Sequence, residues 1–183
     1  AAEVASYVPD EHVPYPWINR SLLFAEDCEH VAVSGSGVID GGGIQFGTAE
    51  GNVRPVAVRL RGCREVRISD ALVKDAAAFA VHLIQCRQVR VEGLRIDSQV
   101  RPNNDGLDID GCQGVFITNC TITTGDDSIA LKALEPGHPC RDVVIANCIL
   151  SSHCAGIRVG PDAVADIERV TVSNCVIRDT GLN

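Results

Sequence analysis

Four aspartates in two short runs could do chemistry together. Asp105 and Asp108 lie in NNDGLDID, and Asp126 and Asp127 lie in TGDDS, about one repeat later. A pair of carboxyl groups can hydrolyse a glycosidic bond, because one acid protonates the leaving oxygen while another carboxylate activates water. Aspartates are also common in tight turns, and their oxygens can bind calcium. The spacing alone leaves turn residues, a glycosidase pair and a calcium site as alternatives.

Short strand-like segments recur along the chain and must position these aspartates. Six segments share the template apolar-x-apolar, then a small or polar residue, then another apolar position. Their first apolar residues are Val31, Val66, Val89, Val115, Val143 and Val170, with spacings of 35, 23, 26, 28 and 27 residues. A second strand recurs out of phase, as in AVHLI and SIALK, and no 3.6-residue helical period separates the strands. This pattern is typical of a solenoid whose repeats stack on one another.

The repeat predicts the fold class and the domain organisation. We expect an all-β protein, a right-handed single-stranded parallel β-helix of about six coils, forming one domain over residues 1–183. Residues 1–20 are expected to be an irregular N-terminal segment that folds over one end, because three prolines there forbid a regular strand. No capping segment is evident after the last repeat, so at least the C-terminal coils are expected to be missing.

Eight of the nine cysteines keep fixed offsets from the first apolar residue of a coil. Five precede it by three residues and three follow it by five, and no CxxC or zinc spacing occurs. We therefore expect free, buried thiols that pack as small apolar groups, with disulfides between coils as the alternative. The first column is Cys28, Cys63, Cys86, Cys112 and Cys140, and the second is Cys120, Cys148 and Cys175.

The alternation of side chains along a strand predicts which residues face outward. Aligning the coils gives one outward column of Arg59, His82, Asp108, Ala130 and Arg158. A second column, two residues before each inward anchor, holds Val56, Phe79, Asp105, Asp127 and Ala155. Adjacent coils are about 4.8 Å apart. We therefore expect Asp105, Asp126 and Asp127 on one solvent-facing groove, and Asp110 paired with Lys132 beside it.

Composition and charge exclude several classes of protein. The net charge is −8, which argues against a nucleic-acid or anionic-membrane partner. No run of about 18 apolar residues is present, so no membrane-spanning segment is expected. The N-terminus also lacks the basic and apolar regions of a signal peptide. An anionic ligand would have to be attracted by local arginine or lysine residues.

Three segments together resemble the polygalacturonase family, glycoside hydrolase family 28. NNDG is similar to the family's NTDG motif, TGDDS contains its GDD motif, and GSGVIDGGG, from Gly35 to Gly43, is similar to its GxGxIDGxG segment. The resemblance implies hydrolysis with inversion, with Asp126 as general acid and Asp105 and Asp127 holding and activating water. It implies no metal and no cofactor.

The chain departs from the family pattern at two places. Ala155 stands where the family's GHG motif has its histidine, and His153, two residues earlier, is either a substitute or a surface turn residue. The family's Arg-x-Lys pair, which binds the substrate carboxylate, would fall immediately after Asn183. Arg158 and Lys132 can supply positive charge instead, or can simply neutralise neighbouring aspartates. The candidate substrate-binding residues are Asp108, His82, Arg158, Lys132 and His153.

These observations favour a hydrolase of pectic polysaccharide, either polygalacturonan or rhamnogalacturonan. The alternatives are a non-catalytic β-helix that binds carbohydrate or is structural, and a β-helix polysaccharide lyase that uses a basic residue with Ca²⁺. The expected partner is an acidic or pectic polysaccharide, and the expected protein is a monomer that is secreted or periplasmic. Because of the two departures, we expect the 183-residue chain itself to turn over slowly or not at all.

Overall fold

The computed structural model describes residues 8–9, 15–49 and 52–181. These residues form nineteen strands and two short 3-10 turns, Pro16–Ile18 and Gly43–Gln45. Neither helical turn is long or apolar enough to cross a membrane. The strands form three sheets, and the chain visits sheets 1, 2 and 3 in that order in each of six successive coils. The predicted all-β, right-handed parallel β-helix is confirmed.

The strands of each sheet are stacked one per coil. Sheet 1 contains β1 (Val8–Pro9), β2 (Arg20–Glu26), β5 (Val56–Arg61), β8 (Val81–Ile84), β11 (Leu107–Asp110), β14 (Ile129–Lys132) and β17 (Ile157–Val159). Sheet 2 contains β3 (Ala32–Ser34), β6 (Arg64–Ser69), β9 (Arg87–Glu92), β12 (Gln113–Thr118), β15 (Cys140–Ala146) and β18 (Ile167–Ser173). Sheet 3 contains β4 (Val38–Asp40), β7 (Leu72–Lys74), β10 (Arg95–Ser98), β13 (Thr121–Thr124), β16 (Ile149–Ser152) and β19 (Val176–Arg178). All described pairings are parallel except β1 with β2, which is antiparallel.

The turn from sheet 2 to sheet 3 explains part of the repeat. In every coil the residue after the sheet 2 strand has a positive φ and donates its amide to the next coil where one follows. Glycine, asparagine and aspartate tolerate this left-handed conformation better than other residues. The position is occupied by Gly35, Asp70, Gly93, Asn119, Asn147 and Asn174. The small or polar residue in the sequence template is therefore required by the backbone of the turn.

The core lies inside the coils and is made of aliphatic and cysteine side chains. All nine cysteines are free. Cys63, Cys86, Cys112 and Cys140 are fully buried, as predicted for the first column. The prediction was wrong for Cys28, which is exposed, because it lies in the first coil, with no earlier coil of the described residues stacked on it.

Candidate active site

The outer face of sheet 1 carries the predicted column of side chains. Strand register aligns Arg59 with His82, His82 with Asp108, Asp108 with Ala130, and Ala130 with Arg158. The adjacent column is aligned by backbone hydrogen bonds between coils. For example, the Ala80 amide donates to the Asp105 carbonyl at 2.8 Å, and the Gly106 amide donates to the Asp127 carbonyl at 2.9 Å.

Much of this face is buried, whereas the sequence predicts an open groove. Segment 15–18 lies across the outside of sheet 1, where Trp17 and Tyr15 pack edge-on against Phe79. Arg59 donates to the Ile18 carbonyl at 2.8 Å. The segment therefore covers the face of a sheet, where the sequence predicts that it covers one end of the solenoid. Asp105, Asp108 and Asp127 are almost inaccessible, and Asp126 is half-buried.

Asp105 is positioned by a loop that is anchored through the residue before it. The buried Asn104 amide donates to the carbonyls of Ala76 and Ala78 at 2.7 and 2.9 Å. Arg54 supports the same loop by donating to Asn103 Oδ1 at 2.8 Å. A Cβ at Gly106 would collide with the backbone oxygen of Ser128, so only glycine fits after Asp105. The structure thus explains why the second asparagine and the glycine of the NNDG motif are needed.

Asp126 and Asp127 lie in the turn before β14. Thr124 Oγ1 and Ser152 Oγ donate to the Asp126 carbonyl at 2.7 and 2.6 Å. The Asp127 amide donates to Asp126 Oδ1 at 3.0 Å. These bonds fix two consecutive carboxylates beside the loop of Asp105 on the preceding coil.

Arg158 supplies positive charge at Asp127. Its Nη1 lies 3.3 Å from Asp127 Oδ2, and the Ala155 amide donates to Asp127 Oδ1 at 3.2 Å. Both contacts fix the orientation of the Asp127 carboxylate. His153 is exposed in the same turn, and only its backbone makes a described hydrogen bond.

Lys132 is the buried cation of the site. Its Nζ lies 2.6 Å from Asp108 Oδ1 and 3.7 Å from Asp105 Oδ2. It also lies 4.3 Å from the centre of the Phe79 ring. The predicted pair with Asp110 is wrong, because the lysine side chain leans back along the strand toward Asp108. Asp110 instead accepts a hydrogen bond from the Leu134 amide at 2.9 Å.

Burial controls the proton affinities on this face. It raises the pKa of Asp108 to about 6, despite the opposing effect of Lys132. The pKa of Asp105 is raised well above its usual value, first by burial and then by Asp108. Burial alone would lower the pKa of Lys132, but Asp108 and Asp105 raise it. The pKa of fully buried His82 is lowered well below its usual value, by burial and then by Arg59. The face thus holds a lysine whose charge is favoured, a histidine whose neutral form is favoured and two aspartates whose proton affinity is raised.

Asp126, Asp127 and Cys154 are candidate metal ligands. One ligand atom from each lies within 4.8 Å of the others. Burial and the two carboxylates raise the pKa of Cys154 to about 12, so the thiol keeps its proton. The Arg158 guanidinium also lies against Asp127, where it would repel a cation. The arrangement therefore suits proton chemistry better than metal binding.

The sequence reasoning missed the residues that close the site. Tyr15, Trp17 and Phe79 are three of only seven aromatic residues in the chain, and they form one cluster. Arg54 joins them, with its guanidinium 4.6 Å from the Trp17 ring centre. Because aromatic residues are scarce in this chain, the presence of three of them before or beside the outward column of sheet 1 was a signal that they cluster there.

Plant proteins are among the relatives of this chain. It is 30% identical over 172 residues to a probable polygalacturonase of Arabidopsis thaliana, covering 87% of this chain and 34% of that protein. It is 30% identical over 171 residues to a probable polygalacturonase of Vitis vinifera, covering 85% and 35%. The chain therefore spans about a third of the length of these relatives.

Solved structures share the fold. A family 28 exopolygalacturonase of Yersinia enterocolitica matches with a TM-score of 0.82 at 20% identity, covering 98% of this chain and 43% of that one. An exopolygalacturonase of Thermotoga maritima matches with a TM-score of 0.79 at 24% identity, covering 89% and 49%. The family model described as glycosyl hydrolases family 28 matches residues 14–183, nearly the whole sequence. The chain belongs to that family.

Proposed function

We propose that the protein hydrolyses glycosidic bonds of pectic polysaccharide, either polygalacturonan or rhamnogalacturonan, as a secreted or periplasmic monomer. The observation that carries the proposal is the meeting of Asp105, Asp126 and Asp127 from two adjacent coils at one site. Its relatives named as polygalacturonases support the substrate class. A non-catalytic carbohydrate-binding protein would not need three neighbouring carboxyl groups with a raised pKa among them.

Asp126 is proposed as the general acid. It is the most accessible of the three aspartates, so it can reach the oxygen of a bound glycosidic bond. In the reaction, the bond between the anomeric carbon and that oxygen breaks. The oxygen keeps the electron pair and takes the proton of Asp126.

Asp127 and Asp105 are proposed to hold the attacking water. Asp127 is the base, because its carboxylate is held by Arg158 and the Ala155 amide next to Asp126 and can accept the water proton. Oxygens of Asp126 and Asp127 lie within 4.8 Å, which is less than the roughly 6.5–9.5 Å typical of inverting pairs. The distance between Asp126 and Asp127 therefore does not itself support inversion, which rests on the family resemblance. For inversion, the attacking water would have to bind beside Asp105. Proton NMR of the first product anomer tests the stereochemistry directly.

Arg158 is the proposed ligand for a substrate carboxylate. It is paired with Asp127 but exposed, whereas Lys132 is paired with Asp108 and buried. His153 is exposed nearby and can add a hydrogen bond to a sugar hydroxyl. Asp108 and His82 would then act through the groups that they contact, since both are fully buried.

A second assignment of the acid has support of its own. Burial raises the pKa of Asp105 well above its usual value, which is the property expected of a general acid. Substrates with an activated aryl leaving group separate the two assignments, because they need little protonation. The variant that lacks the true acid should recover much of its rate on such a substrate, whereas the variant that lacks a base should not.

Prolonged incubation with polygalacturonate and rhamnogalacturonan tests the proposal. We expect slow release of new reducing ends, lowered at least about a hundredfold by Asp126→Asn. Asp70→Asn, in the exposed turn between sheets 2 and 3, is the matched control and should keep the wild-type rate. An equal rate in Asp126→Asn, or unsaturated products, would contradict hydrolysis by these aspartates.

A further inference from the structure

The outer face of sheet 2 carries four arginines on two adjacent coils. Strand register places Arg64 beside Arg87 and Arg67 beside Arg90. All four are exposed. Arg67 and Arg90 alternate with the buried Val66 and Val89, whereas Arg64 and Arg87 face outward because the residue after each has a positive φ that interrupts the alternation. Adjacent parallel strands are about 4.8 Å apart, so each pair spans two neighbouring coils, and the two pairs line separate concavities.

No acidic side chain among the described residues forms an ion pair with these arginines. Glu65 lies on the same face but is paired with His30 at 2.8 Å. Glu92 is the other exposed carboxylate beside the Arg67 column. Glu29 is also exposed and aligned with Arg64. Four arginines against these three carboxylates leave an excess of one positive charge on a chain whose net charge is −8, and a local field of this sign attracts an anion.

A groove of about 520 Å³ runs along this face, and we name it the sheet 2 groove. Its polar and aromatic lining residues are two arginines, two glutamates, a glutamine and a phenylalanine: Arg67, Arg90, Glu65, Glu92, Gln88 and Phe116. Phe116 follows Arg90 in the same column, one coil farther along, and is 47% exposed. The groove thus presents two cations and an aromatic ring in one column along the solenoid, with an amide and two carboxylates beside them.

We propose that the sheet 2 groove binds an extended polyuronate chain, at a site separate from the three aspartates. Guanidinium groups form paired, charge-assisted hydrogen bonds with carboxylates. Repetition of the cation from coil to coil matches a polymer that repeats its carboxylate from sugar to sugar. The exposed ring of Phe116 offers an apolar surface to a sugar face.

The groove is on a different sheet from the site, so a polymer bound there leaves Asp105, Asp126 and Asp127 free. The proposal goes beyond hydrolysis: it depends on an anionic polysaccharide as ligand, but not on the roles of the aspartates. The groove would hold the protein on an insoluble or long substrate while the site on sheet 1 acts on a chain end or an internal bond.

Electrophoresis through gels that contain polygalacturonate measures the interaction without requiring turnover. Asp126→Asn serves as the background, so that the polymer is not degraded. We expect retardation at low salt that weakens with ionic strength. Arg67→Ala with Arg90→Ala should raise the dissociation constant about tenfold, and Phe116→Ala should raise it by a smaller factor. The matched control is Arg95→Ala with Arg178→Ala, which removes the same charge from sheet 3 and should bind like the parent.

Several outcomes would overturn the proposal. These are no retardation of the parent, equal retardation of the groove variant and the sheet 3 control, or equal binding of fully methyl-esterified pectin. Equal retardation by double-stranded DNA, with the same dependence on Arg67 and Arg90, would instead identify a general polyanion surface. Loss of hydrolysis in Asp126→Asn with retardation intact would support the groove and the aspartate roles separately, because the two measurements do not depend on each other.

Discussion

The outer faces of sheets 1 and 2 follow the same alternation of side chains, yet their charged residues are in opposite environments. On sheet 1, Lys132 and Asp108 are buried beneath aromatic rings and pair at 2.6 Å. On sheet 2, Arg67 and Arg90 are exposed, with no ion pair among the described residues. The difference comes from segment 15–18, which covers only sheet 1. Covered charges acquire shifted pKa values suited to proton transfer, whereas uncovered charges keep the long-range field suited to recognition.

Removing the buried cation should have the largest effect on stability. Lys132→Met leaves Asp108 without its partner in a buried position, and we expect a loss of about 3–5 kcal/mol in the free energy of unfolding at pH 7. Arg169→Met is the matched control, because Arg169 pairs with Asp142 in the open on sheet 2. It should leave the urea midpoint nearly unchanged. Equal losses in the two variants would show that the faces do not differ in this way.

Two phenylalanines provide a second comparison of the faces. Phe79 on sheet 1 is 3% exposed and Phe116 on sheet 2 is 47% exposed. Phe79→Ala should cost about 3 kcal/mol in urea unfolding, because it removes a buried ring that holds Tyr15 and Trp17. Phe116→Ala should cost less than about 1 kcal/mol. A larger loss for Phe116 than for Phe79 would contradict the assignment of sheet 1 as the covered face.

Carboxylates on the two faces should titrate on opposite sides of the usual value of 3.8. Burial raises the pKa of Asp108 to about 6, and a hydrogen bond from Arg169 lowers that of Asp142. Folded Asp108 binds more protons than the unfolded chain between about pH 4 and 6, so its contribution to stability falls as pH rises through that range. The contribution of Asp142 is present above 3.8 and is lost as pH falls. Carbon-detected NMR of the carboxyl groups measures both pKa values. Two values on the same side of 3.8 would contradict the prediction.

The smallest effect is expected at the exposed arginines. Arg67→Ala removes no ion pair with a described residue and relieves repulsion from Arg90, so stability should change by less than about 0.5 kcal/mol. Thermal unfolding measures it, with Arg95→Ala on sheet 3 as the control. A loss of stability above about 1 kcal/mol would mean that Arg67 supports the fold. The Arg67→Ala substitution could then not be used to test binding alone.

The repeat made much of the fold and part of the site predictable. Strand register followed from the spacing of Val66, Val89 and Val115, and it brought Asp105 and Asp127 together on adjacent coils. Alternation also identified which side chains point away from the core. The register between two neighbouring coils depends only on the residues of those coils. A sequence repeat of 23 to 28 residues is therefore enough to predict it.

What the sequence did not predict depends on contacts outside the repeat. Segment 15–18 meets Phe79, more than sixty residues away, and no periodicity links them. Alternation predicts the direction of a side chain but not whether another segment covers it, so the predicted solvent exposure is wrong for Asp105 and Asp127. The predicted partner of Lys132 was wrong, because strand register fixes the Cα positions but not the direction in which a long side chain leans.

The stacking of six coils also determines how far a local disturbance can spread. Each coil pairs only with the coil before and the coil after it, so the cooperativity of the fold resembles that of a one-dimensional chain. Opening of the coil that carries Arg158 would release that residue from Asp127, while Asp105, two coils away, remained paired to its neighbours. Slow hydrogen exchange should therefore differ from coil to coil along the solenoid axis, and the three aspartates proposed for catalysis are divided between two coils that can open separately.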